Sequence, residues 1–428
     1  MKLKDQLSSE ESLKNAWRKI NKSNANSHGI SDESIEKFKN NLDIRISAIS
    51  KSLRENSFQF SPTRAALLPK KDNGYRPLQI PEVSDRVVIK AIAIILEKIF
   101  EDELDPCKEV SFAYQKKLGI RQATEKIRDH INRGNYFVLE VDLKDFFGTI
   151  NKDDLIKSTI LPKLPDTSLN ELFKQSLNQK IAGINKVPKK YQGMFDGLNK
   201  GIPQGNSLSP LLSNIYLNPF DKILISKNIN LVRYADDFVI LSKTKKDAEE
   251  ALKISEEILE EQLNLQIHKV GKKKYRIVDV RKYCFNFLSI EHSHSSFRPS
   301  EKSVKDLLEK TIDLVKNGIR YNNLSNTLYR INWLLEGWAS AFYYSDISTY
   351  SQKIDKLTNW YIYLLFDKLG FKLKDASIEK LPTKFRDDKN KNPNSISELQ
   401  RGNLGIPTIT ELWTKKINTE KEKATDNK

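Results

Sequence analysis

Cysteine is almost absent from this chain, with Cys107 and Cys284 the only two in 428 residues. Two thiols cannot build a disulfide framework, and their scarcity fits a reducing cytoplasm. Long apolar runs are missing as well. The longest, Val87 to Leu96 and Trp360 to Phe366, are too short to cross a bilayer, and Lys90 interrupts the first, so no membrane span is expected. The N-terminal stretch MKLKDQLSSEESLKNAW lacks the continuous apolar core of a secretory signal, and a cytoplasmic location is therefore expected. Histidine and cysteine show no zinc-ligand spacing, and the close pair His292 and His294 reads as a solvated turn. No repeat of fixed period is found.

What the chain does have is positive charge. Lysine and arginine number 72 against 56 acidic residues, a formal charge of +16 spread along the whole length. Such a molecule attracts polyanions, and neutralising phosphates releases condensed counterions, so a salt-sensitive nucleic-acid partner is one reading. A merely soluble lysine-rich surface is the other, and charge alone does not choose. With 38% apolar and 30% charged residues, the length suits roughly three domains.

Periodicity divides the chain. Residues 1–60 are polar and helix-like, with Trp17, Ile20, Phe38, Leu42, Ile44 and Ile46 as expected buried anchors of an extension packed on something larger. Val88, Ala91, Ile92, Ile95, Leu96, Ile99 and Phe100 keep the spacing of one helix face, with Lys90 and Lys98 opposite. Tyr136 to Asp142, Leu231 to Tyr234 and Phe238 to Leu241 are rich in β-branched and aromatic residues without helical period and read as strands. Lys246 to Leu263 is helical. Alternation of strand and helix implies an α+β domain with a mainly antiparallel sheet, or an α/β one. From about residue 303 helical periods dominate, as in Val304, Leu307, Leu308, Ile312 and Val315, and a small helical module is expected. The last fifteen residues, TKKINTEKEKATDNK, lack apolar content and are expected to be disordered.

Adjacent carboxylates Asp236 and Asp237 lie between two apolar strands, where a turn would expose both at a sheet end. Like charges side by side raise each other's pKa, and a divalent cation held by hard oxygen ligands is the usual remedy. Asp142, at the end of Val138-Leu-Glu-Val, is a third carboxylate emerging from an apolar strand. Three such groups can hold two cations, the arrangement that serves in-line displacement at phosphorus. Gly201-Ile-Pro-Gln-Gly-Asn-Ser-Leu-Ser-Pro210 offers a loop whose backbone can approach a nucleotide closely, and Lys70, Lys71 and Arg76 offer charge for a triphosphate.

Together, Arg76-Pro-Leu-Gln-Ile-Pro-Glu-Val-Ser-Asp-Arg86, Val141-Asp-Leu-Lys-Asp-Phe-Phe147, Gly201-Ile-Pro-Gln-Gly205, Tyr234-Ala-Asp-Asp237 and Phe285-Asn-Phe-Leu-Ser289 closely resemble bacterial reverse transcriptases of the group II intron lineage. Ile331-Asn-Trp-Leu-Leu-Glu-Gly-Trp-Ala-Ser-Ala-Phe-Tyr343 is similar to their thumb segment. The resemblance implies an α+β right-hand polymerase: a helical N-terminal extension over 1–60, fingers and palm over 61–295, a helical thumb over 296–375 and a C-terminal extension over 376–428. It implies that Asp142, Asp236 and Asp237 bind two Mg²⁺ ions, with Mn²⁺ as a substitute, and that Asp145 lies beside the incoming nucleotide. Phe147 would be the steric gate against a ribose 2′-hydroxyl, so deoxynucleoside triphosphates are the expected substrates. Gln204 would lie under the nucleotide or template base, Arg76 with Lys70 or Lys71 on its phosphates, and Lys272 near the pyrophosphate as general acid. Phe285, Phe287, Leu288 and Ser289 would form the primer grip, with Ser289 where the motif usually has glycine.

The residues after the thumb-like segment hold no histidine or cysteine, unlike the endonuclease domains of mobile intron enzymes, and the Asn-Ala-x-x-His and Val-Thr-Gly elements of retron enzymes are not found. The chain is therefore most similar to stand-alone defence-associated reverse transcriptases, which implies a noncoding RNA template and an RNA–DNA or RNA primer-template duplex as partners. Splicing support as a maturase, an RNA-binding scaffold, or a retron-type enzyme are the alternatives.

Overall fold

The computed structural model describes residues 1–69, 74–198, 200–267, 275–371 and 395–426. Lys70, Lys71 and Lys272 lie outside the described residues. The chain forms two compact units, Met1–Ile277 and Val278–Lys428. Among the described residues no helix is long and apolar enough to cross a membrane.

In the first unit the N-terminal helices are part of the main core. Leu7, Leu13, Phe38, Ile46 and Leu53 are buried in one cluster with Val87, Ile92 and Leu96 of the helix Val83–Ile99. The Trp17 ring lies 5.0 Å from Phe38. Ile44, an expected anchor, is 71% exposed instead. On the helix Leu42–Arg54 the buried stripe is Ile46, Ile49 and Leu53, and a residue two positions before Ile46 falls on the opposite side. Glu82 fastens the loop that precedes the helix Ile35–Asn40 by accepting hydrogen bonds from the Ser31 amide at 2.6 Å and the Ser31 hydroxyl at 2.8 Å.

The strands of this unit are β1 (Thr63–Pro69), β2 (Tyr75–Ile80), β3 (Phe137–Val141), β4 (Leu143–Lys144), β5 (Ile181–Ala182), β6 (Asn230–Tyr234), β7 (Asp237–Ser242) and β8 (Gln266–Ile267), and β9 (Arg276–Asp279) begins at its end. The central sheet has the order β6-β7-β3-β9, and β7 runs antiparallel to both β6 and β3. Helices Ile120–Asn132, Ser209–Ser226 and Lys245–Glu256 pack on it. The last begins with a capping box between Thr244 and Asp247 and gives way to a wider helical turn over Glu257–Gln262. A second sheet has the order β2-β1-β5, with β1 and β2 antiparallel. The strand and helix expectations for this region agree with the architecture, a mainly antiparallel α+β fold.

The second unit opens with the small antiparallel sheet β10 (Phe285–Phe287), β11 (Ile290–His292) and β12 (Phe297–Pro299). His292 corrects the reading of a solvated turn: it is buried on β11 and stacks on Phe285 with ring centroids 4.9 Å apart. Three long helices follow, Glu301–Arg320, Leu324–Phe342 and Ser348–Lys368, around a core of Val304, Leu307, Ile331, Leu335, Ile354 and Leu365. The expected disordered tail is helical through Asp426, as part of the helix Ile409–Asp426. Composition misleads there because the anchors precede the polar run: Ile409 and Leu412 are buried, and the Ile409 amide donates to Asp355 at 2.9 Å. Fully buried Arg401 donates to the same carboxylate oxygen at 2.7 Å.

Asp85, 1% exposed in the first turn of its helix, accepts hydrogen bonds from the Ser61 amide and the Gln179 side chain, each at 3.0 Å. Burial pushes its pKa up to about 7, with the Glu82 charge adding and the two hydrogen bonds opposing. A carboxyl raised in this way binds its proton on folding. Its contribution is therefore present below the ordinary carboxylate range and is lost as pH rises through about 7, a change on the order of 4 kcal/mol. Asp85→Asn, measured by urea denaturation at pH 5 and pH 8, should gain stability relative to the parent at the higher pH. A difference independent of pH would show that the carboxyl does not titrate in that range.

Candidate active site

The apolar runs of β3, β6 and β7 are buried, and their ends deliver carboxylates. Tyr234 and Asp237 form the last pair of the β6–β7 hairpin, leaving Ala235 and Asp236 as its turn, with Ala235 in the left-handed region at φ 60°. On the other side Val141 pairs with Phe238, so the next step of the same register sets Asp142 opposite Asp237. Burial raises the pKa of Asp237 to about 6, and the charges of Asp236 and then Asp142 add to it. Asp236 is raised mainly by burial, with Asp142 adding and Arg76 and Arg233 opposing. Asp142, Asp236, Asp237 and Arg76 thus share one electrostatic neighbourhood at the sheet end.

Among the described residues no three acidic, histidine or cysteine side chains are gathered closely enough to hold one ion. Mutual repulsion favours rotamers that keep like charges apart, and a carboxylate swings by a χ1 rotation. The donor set itself is all hard oxygen, which suits Mg²⁺ or Mn²⁺ better than zinc.

The turn is held from beneath by a residue that the sequence reading did not single out for this role. Arg233 is 1% exposed. Its Nε donates to Asp221 Oδ1 at 2.8 Å and its Nη2 to Asp221 Oδ2, a bidentate pair. Its Nη1 donates to Asn214 Oδ1 at 3.1 Å and to the carbonyl of Ala235 at 2.9 Å, inside the turn. Its backbone is bridged to Val110 and Phe112 of the neighbouring segment, at 2.7 and 2.9 Å. That segment brings Tyr114, also missed, close to the carboxylates: Asp236, Tyr234 and Asp237 all act to raise the phenol pKa beyond the effect of burial. Only a positive φ of 62° at an aromatic residue marks the place, and no periodicity signals it.

After Asp142 the chain makes a tight bend in which Asp145 adopts φ 44° and its carbonyl accepts from the amides of Gly148 and Thr149, at 2.9 and 3.0 Å. Phe147 is half-buried and lies edge-on to Phe146, with centroids 5.4 Å apart. Its carbonyl accepts from the Ile202 amide at 3.0 Å. Any Cβ at Gly201 would collide with that carbonyl, so the loop can lie this close only as glycine. Gln204 is fastened by its own carbonyl, which accepts from the Gln79 amide of β2 at 2.9 Å, while its side-chain Oε1 is buried without a hydrogen-bond partner among the described residues. The first unit therefore assembles Asp142, Asp145, Phe147, Gln204, Asp236 and Asp237 on connected loops, with Arg76 near. Phe285, Phe287, Leu288 and Ser289 belong to the second unit. Phe285 and Phe287 are buried on β10, and Leu288 and Ser289 make the two-residue turn to β11 with φ 52° and 66°. Ser289 takes the left-handed conformation that glycine adopts at less cost.

Residues 68–305, more than half of the chain, match the family model described as reverse transcriptase (RNA-dependent DNA polymerase), and the chain belongs to that family. Proteins encoded by group II introns are among the curated proteins it is similar to. Protein YkfC of Escherichia coli (strain K12) is 26% identical over 50% of this chain and 62% of its own. The group II intron-encoded protein LtrA of Lactococcus lactis subsp. cremoris is 30% identical over 49% of this chain and 32% of its own. The chain thus spans less than two thirds of the length of these relatives. A solved structure of apo telomerase from Candida tropicalis is similar at 12% identity, with a TM-score of 0.44 and coverage of 73% and 62% of the two chains.

Arg233→Met would strand the Asp221 charge in the interior and should lower the unfolding free energy by about 3–5 kcal/mol. Adding Asp221→Leu should recover part of that loss. Strictly additive losses in chemical denaturation would mean that the two side chains are not coupled.

Proposed function

We propose that this protein is an RNA-directed DNA polymerase that copies an RNA template by nucleotidyl transfer at the end of its central sheet. The observation that carries the reading is the convergence of Asp142, Asp236 and Asp237 in one electrostatic cluster, where Asp237 is raised to about 6 by burial and by its two neighbours. That mutual repulsion and the all-oxygen donor set fit a pair of Mg²⁺ ions, or Mn²⁺ in their place. When bound, these ions supply activation of the primer hydroxyl and stabilisation of the leaving oxygen.

The chain's own residues do the rest. Arg76 clamps phosphate oxygens of the deoxynucleoside triphosphate. Phe147, held by its carbonyl against the Gly201 loop, presents a rigid ring where a 2′-hydroxyl would need room. The unpartnered Gln204 Oε1 is an acceptor for the nucleotide or template base. Lys70, Lys71 and Lys272 are proposed as further phosphate contacts, and the β10–β11 turn as the primer grip. The biological setting we propose is antiphage defence, with a structured noncoding RNA as template, a reading supported by the lack of retron elements in the sequence. The intron-encoded relatives favour a second reading, a maturase or RNA-binding scaffold that assists splicing.

Asp236→Ala with Asp237→Ala should leave folding and RNA binding in place while deoxynucleotide incorporation falls by more than about 10³-fold. Full biological activity in that variant would support the scaffold reading. Phe147→Ala should shift the preference for deoxynucleotides over ribonucleotides by about 10–100-fold in a primer-extension assay. An unchanged ratio would remove Phe147 as the gate.

A further inference from the structure

The β1–β2 hairpin is a plate with two faces. Its register pairs Leu68 with Arg76 and Ala66 with Leu78, which puts these residues on one face and Ala65, Leu67, Tyr75 and Pro77 on the other. Arg76 on the first face acts on Asp236. The second face is covered by the segment that follows β5, where Val187 and Phe195 close a small core of their own on Ala65. Strand β5 anchors this cap by pairing in parallel with β1.

The outside of the cap is dense in lysine. Lys180, Lys186, Lys189, Lys190 and Lys200 are all exposed, and Asp196 is the one acid between positions 180 and 200. Some lysines elsewhere are paired along helices, as in Lys245 with Glu249, Lys305 with Glu309 and Lys416 with Glu420. Among the described residues none of the five cap lysines is in an ion pair. Lys190 instead lies 4.7 Å over the ring of Tyr191, which packs at 4.6 Å on Tyr75. Like charges at this density repel one another, and with Asp196 as the single acid opposing five lysines the cap favours a polyanion. The cap exposes no large apolar side chain, so it lacks what insertion into a lipid surface requires. Closely spaced lysines beside an aromatic pair suit a ribose-phosphate backbone.

We propose that residues 180–198 together with Lys200 form a docking surface for the backbone of a structured RNA, on the face of the hairpin turned away from the carboxylates. The proposal holds whether or not the chain copies that RNA, because binding is read without synthesis. The test is the full chain with Lys186→Gln, Lys189→Gln and Lys190→Gln, titrated with an RNA stem-loop by fluorescence anisotropy at several KCl concentrations. The slope of log K against log salt should become shallower by about 2, and affinity should fall about tenfold, for three lost phosphate contacts. Extension of a short annealed primer-template should stay within about twofold of the parent, and Lys→Arg at the same positions should keep the parental slope. Unchanged slope and affinity would overturn the proposal. So would an equal loss of short-template extension, which would place these lysines in the template cleft. Lost binding to phosphatidylglycerol vesicles with intact RNA binding would assign the surface to lipid instead.

Discussion

The contact on which the site depends most is the buried pair between Arg233 and Asp221. A guanidinium in a dry interior is costly unless every donor is met, and here its fork is met by a bidentate carboxylate, an amide oxygen and a backbone carbonyl. The last of these belongs to Ala235, in the turn that carries Asp236. The pair thus links the long helix Ser209–Ser226, which supplies Asp221 and Asn214, to the tip of the hairpin. The backbone of the same residue holds the segment leading to Tyr114. One buried charge therefore sets the height and direction of a turn whose carboxylate would otherwise move with a two-residue loop.

A second constraint acts on the loops around the carboxylates. Gly201 meets the Phe147 carbonyl with no room for a side chain, and Gly205, at φ 106°, would bring a Cβ within 2.7 Å of the Gln79 carbonyl. Backbone packed directly on backbone leaves little freedom, so the bend after Asp142, the Gly201–Pro210 loop and β2 behave as one support. The hairpin then has two unlike faces. One places Arg76 in the electrostatic neighbourhood of Asp236, while the other carries a cap with its own small core and a lysine-rich exterior.

Much of this was legible in the residues. The apolar strands ending in Asp142 and Asp237, the helix from Val83 to Ile99 and the helical second unit follow from periodicity, because burial on one face imposes a spacing that survives in one dimension. Ile44 and His292 were misread, since a single apolar or polar residue carries no phase of its own and only its neighbours decide which side it faces. The tail was misread for a related reason, as a polar helix can be held by anchors such as Ile409 and Leu412 that lie before the polar run.

The amino-acid sequence by itself determined the class of fold, the place of Asp142 and Asp237 at the ends of apolar strands and membership of the reverse transcriptase family, because these rest on local patterns and ordered motifs. Tertiary structure alone decided that Arg233 is buried and doubly paired, that Tyr114 feels the charge of Asp236, and that residues 181–198 cap the back of the hairpin. Each of those depends on groups distant in the chain meeting in space, and the energy of such a meeting leaves no period in the sequence from which it could be read.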